Sequence, residues 1–140
     1  PKRYDVLASE LVDVLVDRHG ESPALEIVAA AARRVAGRAR AAVTTGDLDR
    51  RWDLLMAWLE ETFALEAGWE ATGGGGRRIV VHHCPFQDIA SDRPKVCGTF
   101  VTTLIGELLG GVDVSHEAAD DPVRCCTLEV PEWDARRTGA

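Results

Sequence analysis

No apolar run in this chain of 140 residues approaches the roughly 18 residues that a membrane-spanning helix needs, so no segment is expected to cross a bilayer. Positive charge is short as well, with 16 Lys and Arg against 23 Asp and Glu and a net charge of -7. That balance argues against this piece gripping a nucleic-acid backbone, which takes clustered cations. The short groups Arg33-Arg34, Arg50-Arg51 and Arg77-Arg78 read as solvated faces of helices and turns. Internal repeats and low-complexity linkers are absent, and neither an initiator Met nor a secretory core precedes Pro1-Lys2-Arg3. The chain is therefore expected to be a cytoplasmic fragment of a longer protein. Cysteine is scarce, and all four fall in the second half, at Cys84, Cys97, Cys125 and Cys126. Without a secretory signal, metal or redox chemistry is a better expectation for them than disulfides.

What is present suits one globular domain, 46% apolar and 28% charged. Residues 1–130 are expected to form it, with 131–140 a frayed tail. Tyr4, Leu7, Leu11, Val14 and Leu15 recur at helical spacing, and Gly20 ends that run. Ser22 and Pro23 open a second helix to about Arg40, whose alanine-rich stretch invites close approach by another helix of this chain or of a second subunit. Asp47 caps a third, with Leu48, Trp52, Leu55, Leu59 and Phe63 on one stripe and Gly68 as its stop.

The period then changes to alternation on either side of Gly73-Gly74-Gly75-Gly76, which predicts a hairpin. Those glycines lack the helix and the Lys-Ser/Thr element of a phosphate cradle, and read as a turn. A short helix is expected after Pro85. Another should begin near Pro94 and carry Val96, Phe100, Leu104 and Leu108 on one face. Strands are expected over 112–116 and 123–130. The fold class is thus α+β, with N-terminal helices followed by a four-stranded antiparallel sheet (ββαββ) covered by helices.

Function is sought at the thiols. Cys84 before Pro85, and Cys97 in the first turn after Pro94, lie where a helix N-terminus favours a thiolate. Strand alternation sends Cys125 and Cys126 to opposite faces, Cys126 joining Leu128 and Val130 on the apolar one, so Cys125 is the preferred ligand. His82 and His83 likewise alternate. A Cys84 nucleophile with His82 or His83 as base lacks a legible third group to orient it, so no enzyme is expected.

The runs Gly68-Trp69-Glu70, Ile79-Val80-Val81-His82-His83-Cys84-Pro85-Phe86, Pro94-Lys95-Val96-Cys97 and Arg124-Cys125 resemble the C-terminal domain of winged-helix regulators of the ArsR/DeoR type, more narrowly the Suf-operon repressor (SufR-like) group. The resemblance covers nearly the whole chain. It implies a sensory and dimerisation domain of a transcriptional repressor, a homodimer that meets DNA only through an N-terminal winged helix. It also implies an iron-sulfur cluster on Cys84, Cys97 and Cys125, with Cys126 as the alternative to Cys125. The fourth ligand would be His83, His82, His116, a carboxylate such as Asp88, an outside thiol or none. Three thiolates and one imidazole are also a zinc set, so a zinc-binding or small-molecule-binding effector domain is the alternative.

Overall fold

The computed structural model describes residues 4–84, 92–118 and 126–131. Among these described residues, four helices and four strands follow one another as α1 (Tyr4–His19), α2 (Glu21–Val43), α3 (Leu48–Phe63), β1 (Glu66–Ala71), β2 (Arg77–His83), α4 (Pro94–Leu108), β3 (Ser115–Ala118) and β4 (Cys126–Val130). The α+β class with an antiparallel ββαββ sheet is what the periodicities implied. The expected short helix after Pro85, the start of the last strand and the tail from 132 lie outside the described residues.

The strands run in the order β1-β2-β4-β3, every neighbour antiparallel. Side chains alternate across a strand, and on β4 the inward positions Cys126, Leu128 and Val130 are buried. They face Val81, Ile79 and Arg77 of β2 in register. Outside, Arg78 stands between Glu70 and Glu129 of the flanking strands and bonds both carboxylates. These bonds raise the Arg78 pKa further above its ordinary value, the hydrogen bond to Glu129 being the largest cause. Gly73–Gly75 closes the β1-β2 hairpin as one 3-10 turn, tied by Thr72 N–H to the Gly76 carbonyl at 3.0 Å.

Helix α3 starts where the cap was expected, with the Asp47 carboxylate accepting from Arg50 N–H at 2.9 Å. It ends earlier than Gly68, which lies within β1. Ala64 takes the left-handed cap position (φ 54°, ψ 34°), a conformation an L residue adopts only at a cost. The turn delivers Leu65 into the core, 4% exposed, and that burial is the compensation. Trp52 and Trp69 lie 6.2 Å apart, and Trp69 Nε1 donates to Asp53, so α3 is fastened to β1.

The alanine face of α2, with Ala24, Ala29, Ala32, Ala36 and Ala39 buried, packs against α4 of the same chain. Small side chains let the two backbones approach. The second subunit offered as an alternative occupant of that face is therefore not needed. Helix α4 ends in a tight turn in which Gly106 accepts from both Gly111 N–H and Val112 N–H. A Cβ at Gly106 would stand 2.6 Å from the Val112 carbonyl oxygen.

Candidate functional site

Gly20, with φ 86°, turns the chain directly from α1 into α2. A positive φ is cheap only for glycine, so the two helices are joined with no intervening loop. Side by side, they leave a groove floored by α4. Ala8, Leu11 and Val12 come from α1, Val28 and Ala31 from α2, and Val96 and Phe100 from α4. The space is about 300 Å³, and every described lining residue presents hydrocarbon. Phe100 is fixed edge-on against Phe63 at 5.9 Å, which in turn meets Trp58 at 5.6 Å.

The start of α4 is pinned to the α1-α2 pair by ions. Arg93 Nε donates to Asp13 at 2.7 Å, and Lys95 Nζ to Glu21 at 3.2 Å. The Asp13 hydrogen bond raises the Arg93 pKa above its ordinary value. From the groove-lining Leu11 outward, α1 shows water an apolar stripe that includes Tyr4, Leu7 and Val14, and Ile27 of α2 is exposed as well; even the least exposed of these is 45% accessible. Contiguous apolar exposure of this kind is uncommon unless a surface is used.

The thiols lie elsewhere. Cys84, Cys97 and Cys126 are 6%, 7% and 7% exposed and belong to the hydrocarbon core with Val81, Val101, Leu104 and Leu128. Cys126 sits with Leu128 and Val130, as alternation implied. Cys125 and the side chain of His83 lie outside the described residues, as does Asp88. His82 is exposed. His116 points from β3 toward α4, where a Cβ at Gly98 would come within 3.1 Å of its Nδ1, and burial lowers its pKa below the ordinary value. Among the described residues no group of three or more His, Cys, Asp or Glu side chains is arranged to hold a metal ion.

No protein-family model matches this chain, and no curated protein does. Among solved structures it is similar to that of a trafficking protein particle complex subunit 3 from Naegleria fowleri, described as covalently bound to palmitic acid. The likeness covers 95% of this chain and 98% of that one, at 10% identity and a TM-score of 0.54. At that identity the shared property is the fold.

This likeness corrects the reading drawn from the cysteine motifs. The resemblance to Suf-operon repressors gives way to a whole-chain structural match with a trafficking-particle subunit. Transcriptional repression, DNA as an indirect partner and the repressor homodimer go with it. The iron-sulfur cluster and its zinc alternative are corrected on the same ground and on the absence of a metal-holding group among the described residues. Sequence reasoning took thiol spacing for a ligand pattern, whereas a reduced cysteine also serves as a small core residue.

The groove was missed. Its lining is dispersed over positions 8–12, 28–31 and 96–100, and each residue alone looks like ordinary helix core. The available signal was excess: α1 carries more apolar residues than one core-facing stripe requires.

Proposed function

We propose that this chain is a binding subunit, not an enzyme, whose α1-α2-α4 groove takes the tail of a long-chain acyl ligand. The observation that carries the reading is a groove of about 300 Å³ whose described lining is hydrocarbon alone. Apolar clefts of this size class are the usual seats of small apolar ligands. The palmitic acid held by the trafficking-particle subunit of the same fold supports an acyl chain over a flat aromatic ligand. The described lining residues include no nucleophile, acid or base, which supports binding over catalysis. It also favours non-covalent retention, in contrast with the covalent attachment described for that subunit.

The test is displacement of a fluorescent fatty-acid probe by unlabelled chains of increasing length, including the uncharged alcohol hexadecanol. Each buried methylene contributes about 0.8 kcal/mol, so affinity should rise roughly fourfold per methylene until the groove is filled. Ala31→Trp, which fills the groove from α2, should abolish displacement while leaving a cooperative unfolding transition. Absence of saturable binding, or equal binding by Ala31→Trp, sinks the reading.

A further inference from the structure

The four arginines of α2 beyond the groove differ in what they do. Arg33 and Arg40 both lie within 3.8 Å of the Glu107 carboxylate, and Arg40 also donates to the Glu107 carbonyl at 2.7 Å. Arg34 and Arg38 are exposed and make no ion pair or hydrogen bond among the described residues. Their spacing relates them to the groove. Arg34 follows the lining residue Ala31 by three positions and Arg38 by seven, so both fall on the helix face that Ala31 occupies. Cα–Cβ bonds tilt toward the N-terminus of a helix, which inclines both side chains back toward Ala31. The chain as a whole is anionic, at -7, so two cations without a described partner, one and two turns along α2 from the lining residue Ala31, are a local reversal of sign.

Resting on the acyl-binding reading, we infer that the ligand is a single-chain amphiphile with an anionic head, its tail between α1, α2 and α4 and its head at Arg34 and Arg38. Two arginines suit this because a guanidinium offers paired donors to carboxylate or phosphate oxygens and stays charged throughout the accessible pH range. An uncharged head would leave that charge unused. The shared chemistry is the anionic oxygen cluster, and its source is a free fatty acid or a single-chain phospholipid.

The experiment measures displacement of the probe from the intact chain by palmitic acid, a lysophosphatidic acid and hexadecanol, in wild type and in R34Q/R38Q. Palmitic acid, the phosphate lipid or both should bind wild type about tenfold more tightly than hexadecanol, the scale of a charge-assisted hydrogen-bonded contact. The double substitution should remove that preference while hexadecanol binds as before. Raising the salt concentration should shrink the preference in wild type, since exposed charges are screened. Whichever anionic amphiphile shows the preference identifies the head. Equal binding of all three ligands, or a preference that survives R34Q/R38Q, overturns this inference and leaves the groove reading standing. Failure of every ligand, hexadecanol included, overturns both.

Discussion

Ala64 is the non-glycine residue with positive φ among the described residues, and its place follows from Leu65, which must enter the core immediately after α3 ends. Ala64→Gly should therefore stabilise the protein by about 1 kcal/mol, part of the left-handed penalty being offset by glycine's larger unfolded-state freedom. Urea denaturation at unchanged m-value checks it. The opposite substitution logic holds at Gly106, where a methyl would meet the Val112 carbonyl oxygen at 2.6 Å. Backbone must move to admit it, so Gly106→Ala should destabilise by about 1–3 kcal/mol, the usual scale of overpacking. His116 brings a pH dependence. Burial depresses its folded pKa below the ordinary 6.5, so between the two values the unfolded chain binds the extra proton. Its effect on stability is absent above about pH 6.5 and becomes a loss as pH falls through 6.5 and then the lower folded value. His116→Gln should flatten the acid limb of a plot of stability against pH, and a limb of unchanged slope would show that other groups cause it.

Helices and strands were legible because each carries its own period, and the turn glycines mark the breaks. The assembly was less legible. Asp47 announces α3 through a cap read from the sequence and found at 2.9 Å; Asp47→Ala should cost about 1 kcal/mol. By contrast, nothing local in Asp13 or Arg93 foretells that they bond across eighty positions of sequence. Cys126 was placed on the apolar face by alternation alone, yet whether distant thiols converge depends on tertiary distances that periodicity does not contain. The groove is illegible for the same reason. The Asp13–Arg93 bond also marks α1 as the element most easily released. None of its described side chains is fully buried, and it packs chiefly on α2. Asp13→Asn should raise amide exchange along α1 while leaving α3 and the β2-β4 pairing unchanged, with wild type moving toward the variant at high salt. Exchange rising equally in every element would mean that the bond supports global stability instead.

At the scale of the whole molecule, the groove couples its least buried helix to the rest. Leu11 belongs both to the groove lining and to the exposed stripe of α1, so filling the groove gives α1 apolar contacts that it otherwise lacks. A ligand that binds only the folded chain stabilises it by RT ln(1 + [L]/Kd), about 2.7 kcal/mol at a hundredfold excess over Kd. The unfolding midpoint should therefore climb with the logarithm of hexadecanol or palmitate concentration. The gain should not be uniform in space: α1 supplies Ala8, Leu11 and Val12 to the lining, whereas β1 to β4 supply no described lining residue. Under local opening, amide protection on ligand addition should rise first and most in α1, then at residues 28–31 of α2, and in the sheet only through the global term. Ala31→Trp provides the control, since it occupies the space without a ligand and should leave α1 protected whether or not the amphiphile is added. Protection gained first in the sheet would place the ligand at a different site.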